Sequence, residues 1–107
     1  MTGYDDVCVL VPTLNEAETI GPVVSSFRAE GFENVLVIDG GSTDGTQSIA
    51  EEEGARVVTQ RGNGGKGQAL QEGFRMTDAP VVLMLDGDST YRAEDAAAML
   101  EPIFEGR

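Results

Sequence analysis

Two carboxylates one residue apart, Asp86 and Asp88, follow an apolar run, Val81-Val82-Leu83-Met84-Leu85. Side chains at i and i+2 of an extended chain point the same way. A buried strand ending in this pair would deliver two hard oxygen ligands to its carboxyl end. Such ligands suit Mg or Mn, and the glycine between them leaves room for a phosphate. Asp-Gly-Asp also serves in plain turns, so on these residues alone both readings stand.

Three other clusters carry chemistry. Arg61-Gly62-Asn63-Gly64-Gly65-Lys66-Gly67 holds the single lysine of the chain. A glycine loop before a helix lets backbone amides and an ammonium approach a diphosphate. It is not a Walker motif, because no Ser or Thr follows the lysine. A plain surface loop is the other reading. Asp39 ends a second apolar run, where a carboxylate can accept a hydrogen bond from the ring N–H of uracil or guanine. Ser42, Thr43 and Asp44 just after it would also suit helix capping. Pro12-Thr13-Leu14-Asn15-Glu16 reads as a strand exit and helix start, with Asn15 as cap and Glu16 complementing the helix dipole. The functional reading turns Thr13 and Glu16 toward a nucleotide's ribose and base.

Short β-branched runs alternating with helical stretches must position these groups. Strands are expected at Val7 to Val11, closed by Pro12, at Val35 to Ile38, at Arg56 to Thr59 and at Val81 to Leu85. The first helix begins at Glu16, with Ile20, Val23, Val24 and Phe27 as its apolar stripe. A second runs to about Glu53, where Gly54 ends it. A third follows the glycine loop and runs through about Met76. A last one spans Arg92 to Phe104. Such alternation predicts right-handed βαβ units and a parallel sheet with helices on both faces. Ligands bind such sheets at the carboxyl ends of the strands, and all four clusters fall there.

The chain's 107 residues suit one domain, and its 19 acids against 7 bases give a net charge of −12. A nucleic-acid partner is excluded on that charge. Any phosphate site must be local and metal-assisted. Acids in place of lysine suggest a salt-adapted, halophile-like surface, with an ordinary acidic domain as the alternative. There is no histidine, which excludes a histidine triad or histidine-ligated zinc within the chain. Cys8 is alone between valines and reads as a buried strand residue. No stretch has the length of a membrane span and no signal peptide is visible, so a cytoplasmic chain is expected.

The segments VPTLNEAETI, VIDGGSTDGT, GNGGKGQALQEGF and LDGDSTYRAED, in this order, resemble family 2 glycosyltransferases of the GT-A fold. The branch with dolichyl-phosphate sugar synthases is the most similar. The resemblance implies an α/β fold: the Rossmann-like, parallel-sheet half of a GT-A domain, with about four strands. Residues 1–107 would form a single nucleotide-sugar-binding domain. It assigns nucleotide binding to Pro12, Thr13, Asn15, Glu16, Asp39, Gly41, Lys66 and Asp86, and Mg or Mn to Asp86 and Asp88. The donor would be a UDP- or GDP-sugar and the acceptor a polyprenyl or dolichyl phosphate, with the parent enzyme at the cytoplasmic face of the membrane. The family often has a second acid where Gly40 stands. Its catalytic base is expected beyond Arg107, in a half this chain does not include. A truncated chain would leave one edge of the fourth strand open to self-association. A non-catalytic nucleotide-binding fragment is one alternative. A sugar-nucleotide synthase of related fold is another, although Pro12 to Glu16 does not resemble its glycine-rich opening loop.

Overall fold

The computed structural model describes residues 6–61 and 65–85, with residues 65–67 and Leu70 described by backbone alone. Four strands alternate with three helices: β1 (Val7–Thr13), α1 (Ala17–Ala29), β2 (Val35–Asp39), α2 (Thr46–Glu52), β3 (Arg56–Thr59), α3 (Gly65–Met76) and β4 (Val81–Met84). The strands form one parallel sheet in the order β3-β2-β1-β4. This is the expected Rossmann-like α/β architecture. The order turns back between β1 and β4, which makes their carboxyl ends a topological switch point.

Alternation along the strands divides the core. Val7, Val9, Val11, Val35 and Val37 face Ile20, Val23, Val24 and Phe27 of α1 and Ala50 of α2. Cys8, Leu10, Leu36 and Ile38 pack with Ala69 of α3 on the other face. Helices therefore cover both faces, and the expected stripe of α1 is the buried one. Phe27 also meets Phe32 edge to face, with ring centroids 5.4 Å apart, which closes the turn after α1. Cys8 is a free, buried thiol, and burial pushes its pKa up.

Two glycines explain local geometry. Gly54 follows α2 with φ 102°, and its amide donates to the carbonyl of Glu51. This is the left-handed helix stop expected from the sequence. Gly73 lies where α3 crosses β1, and a Cβ there would stand 2.3 Å from Leu10 Cδ1. Only a residue without a side chain allows that approach.

The structure corrects several expectations. β1 runs on through Pro12 to Thr13 rather than closing at Pro12. Val9 donates its amide toward the β2 side, and strand amides alternate in direction. Residue 12 therefore faces the β4 side, beyond the last pair, Leu10 with Met84. Proline there costs the β1–β2 ladder no hydrogen bond. α3 begins at Gly65, so Lys66 lies in its first turn and not in a loop. The residues of β4 are half-buried and Met84 is exposed, so this strand is less buried than the apolar run suggested. β4 is an edge strand among the described residues. The expected helix from Arg92 to Phe104 lies outside them.

Candidate functional site

The carboxyl ends of β1 and β2 are tied together by side chains. Thr13 and Asp39 are register partners, and the Thr13 hydroxyl donates to Asp39 Oδ1 at 2.7 Å. Asp39 Oδ1 also accepts from the Ser42 hydroxyl at 2.6 Å. Its Oδ2 accepts from the amides of Gly41 and Ser42, at 3.0 and 2.7 Å, and from Gln47 Nε2 at 2.8 Å. Among the described residues five donors thus converge on a carboxylate that is fully buried. Burial opposes its ionisation, but the bonds from Gln47, Ser42 and Thr13 outweigh that and hold its pKa at about 2.

A second set of bonds joins the two loops that leave these strands. The Asn15 amide donates to Ser42 Oγ at 2.7 Å, and Asn15 Oδ1 accepts from the Thr43 amide at 2.9 Å. Asn15 holds φ 52°, a left-handed conformation that asparagine tolerates better than most residues. The buried Thr46 hydroxyl accepts from the Glu16 amide at 2.9 Å and donates to Asp44. Asp44 reaches both helices: Oδ1 takes the Thr46 amide of α2 and Oδ2 the Ala17 amide of α1, each at 3.1 Å. The Thr46 hydroxyl, more than these amides, lowers the Asp44 pKa.

This geometry corrects the capping expected from sequence. Asn15 does not cap α1. Glu16 occupies that position without a side-chain cap bond, and the free amide at Ala17 is met from 27 residues away by Asp44. A cap drawn from another segment leaves no local pattern to read. Glu16 Oε1 accepts from the Leu14 amide at 3.0 Å, so this acid also shapes its own turn.

The structure brings Pro12, Thr13, Asn15, Glu16, Asp39 and Gly41 to one end of the sheet. Gly41 is exposed with φ 102° and open space around its Cα, so a ligand can approach its backbone closely. Lys66 is placed by backbone in the first turn of α3. Asp86 and Asp88 lie outside the described residues, and within those residues no three acids, histidines or cysteines gather as metal ligands. The Leu85 amide still bonds to the Leu10 carbonyl at 2.9 Å, so the chain leaves β4 alongside β1. Two carboxylates spaced i, i+2 after that point are a donor set that fits Mg or Mn. Sequence reasoning missed Gln47 and Thr46. Thr46, a β-branched residue at the first helical position, was the readable signal. Gln47 carried none.

The sheet order and switch point define a Rossmann-like α/β fold. The chain belongs to Glycosyl transferase family 2, which matches residues 8–107. It is 62% identical over 103 residues to the Glycosyltransferase AglJ of Haloferax volcanii, covering 95% of this chain and 34% of that protein. It is 36% identical over 105 residues to the Dolichyl-phosphate hexose transferase of the same organism, covering 96% and 45% respectively. Among solved structures, the Mycobacterium tuberculosis glucosyl-3-phosphoglycerate synthase in complex with Mn2+, UDP-glucose and phosphoglyceric acid superposes with a TM-score of 0.82 at 30% identity. That match covers 94% of this chain and 40% of the other. The chain thus spans between about a third and a half of these relatives.

Proposed function

We propose that this chain is the donor-binding half of a glycosyltransferase that moves a hexose from a UDP- or GDP-sugar to a polyprenyl phosphate. The observation that carries the reading is the convergence of Thr13, Asn15, Glu16, Asp39 and Gly41 at one end of the sheet. All of them lie within residues 8–107, which the family model matches. Asp39 would face the base, Thr13 and Glu16 the ribose, and Lys66 the diphosphate. Asp86 and Asp88 would hold Mg or Mn, which when bound neutralises the leaving diphosphate. An acceptor oxygen displaces that diphosphate at the anomeric carbon, and the sugar is transferred. The relative named for dolichyl phosphate supports the lipid acceptor. Such an acceptor would hold the parent enzyme at the cytoplasmic face of a membrane. Among the described residues no helix is long and apolar enough to cross one.

A small phosphorylated acid is the competing acceptor, because a structural neighbour carries phosphoglyceric acid. The test incubates the parent enzyme that carries this donor-binding half with labelled UDP- and GDP-hexoses, Mn, and either polyprenyl phosphate or 3-phosphoglycerate. Label extracted with the lipid, and abolished by chelator, supports the proposal. Label on the small acid favours the competing acceptor, and transfer to neither overturns both.

A further inference from the structure

Asp39 cannot receive a base as it stands. It is fully buried, and each oxygen already accepts bonds from the chain itself. A ring N–H can reach it only by replacing one of those donors.

The donors differ in how easily they yield. The Gly41 and Ser42 amides are backbone groups fixed by the turn after β2. The Ser42 hydroxyl is also held by the Asn15 amide. Thr13 is a buried strand residue, register partner of Asp39 itself. Gln47 alone among them reaches Asp39 on a long side chain, from a half-exposed position in the first turn of α2. Its Nε2 also donates to Thr59 Oγ1 at 3.4 Å, at the exposed end of β3. On leaving Asp39 the amide therefore keeps one partner, which limits the cost of the exchange.

We propose that Gln47 is a positioning residue that keeps the place of the nucleobase. In the free protein its amide satisfies Asp39 Oδ2, and on binding the ring N–H of uracil or guanine takes that oxygen while the amide keeps its bond to Thr59. The base then gains only the difference between two similar hydrogen bonds. A base without a ring N–H gains nothing and leaves Gln47 in place. Gln47 so weakens the affinity for a base with a ring N–H and narrows its margin over one without.

This inference rests on the proposal that Asp39 meets the base, and the experiment separates the two. Isothermal titration of the full chain uses UDP and GDP, together with their forms methylated at N3 of uracil and N1 of guanine. Wild type and Gln47→Met are compared, since methionine keeps length and helix preference but has no donor. The proposal expects wild type to prefer the unmethylated ligand. It expects Gln47→Met to bind that ligand roughly 3- to 10-fold more tightly, the range for one net hydrogen bond no longer displaced. Affinity for the methylated ligand should not change. An unchanged or weaker affinity in Gln47→Met, with wild type still discriminating the methylated ligand, overturns the role of Gln47 alone. Wild type that does not discriminate overturns the base contact as well. A purely structural Gln47 would shift all four ligands together, and that outcome also overturns the proposal.

Discussion

The ends of β1 and β2 are joined to each other by polar side chains, while α3 is held against β1 and its neighbour β4 by close apolar packing. In the first region Thr13, Asn15, Ser42, Asp44 and Thr46 bond across 26 to 30 residues of sequence. In the second, Gly73 lets α3 approach Leu10, and Val82, Met76 and Ala79 pack around the same cluster. A buried hydrogen-bonded network fixes positions to fractions of an ångström and fails sharply when one member is lost. An apolar contact yields more gradually. The proposed nucleotide end of the site is thus set before any ligand arrives, whereas the proposed diphosphate end would depend on groups from the start of α3 and from the chain after β4.

The most damaging single change should be Asp39→Asn. Asparagine offers one acceptor oxygen where two stood and presents an NH2 to the Gly41 and Ser42 amides or to the hydroxyls of Thr13 and Ser42. Several buried donors are then left unmatched, each costing about 1–3 kcal/mol. The expected loss is about 3 kcal/mol or more, read by urea denaturation. A loss under about 1 kcal/mol would show that the polar region is no more brittle than the packed one.

Gly73→Ala tests the packed side. The new Cβ would lie 2.3 and 2.6 Å from the two methyl carbons of Leu10, which is itself fully buried. Overpacking of this kind costs about 1–3 kcal/mol. The effect should be smaller than that of Asp39→Asn and should be recovered in part by Leu10→Val. Wild-type stability in Gly73→Ala alone would mean that α3 rides loosely on the sheet.

Acid should weaken the polar region in a defined window. The Asp39 pKa falls from 3.8 to about 2 on folding, and a tenfold gain in acidity corresponds to about 1.4 kcal/mol. The folded value is depressed, so the stabilisation is fully present above about pH 4 and is lost as pH falls toward 2. It amounts to about 2 kcal/mol for this group. In Asp39→Asn the same titration should lose that component. An identical acid slope in both proteins would remove Asp39 from the account.

How much of this was legible beforehand follows the same division. The strands, the stripe of α1 and the helix stop at Gly54 came from local signals: β-branched runs, a 3.6-residue period and a glycine in the right place. The candidate residues at strand ends were legible because parallel sheets put function there. The capping of α1 was not legible, since Asp44 comes from a distant segment and Asn15 looked like the local cap. Pro12 misled because its missing amide is costly only where a ladder bond would form. Lys66 was read as a loop residue because glycines flank it, yet a helix tolerates glycine in a first turn whose amides lack partners anyway. Met84, at the end of β4, is exposed, which an apolar run does not reveal.

Salt should act on both regions alike and more weakly. The 19 acids share a small surface with 7 bases, and their repulsion is screened as ionic strength rises. Melting temperature should therefore increase from low to molar KCl, and by similar amounts in wild type and Gly73→Ala. A flat or falling curve would sink the salt-adapted reading and leave an ordinary acidic domain.

Lys66→Ala should have the smallest effect on stability and still separate the two regions. Lys66 stands in the first turn of α3, where the helix dipole disfavours a positive charge and alanine is a better helix former. Removing it should leave the urea midpoint almost unchanged. If Lys66 serves the diphosphate, affinity for UDP or GDP should fall by about 1–3 kcal/mol, the scale for losing a charged hydrogen bond. Affinity for the nucleoside alone should stay as it was, because the base and ribose would meet the residues at the ends of β1 and β2 instead. Asp39→Asn should do the reverse, weakening nucleoside and nucleoside diphosphate together along with the fold. If Lys66→Ala weakens both ligands equally, the lysine acts through the shape of α3 and not through the phosphates. The division between a pre-set nucleotide end and a charge-supplied diphosphate end would then be wrong.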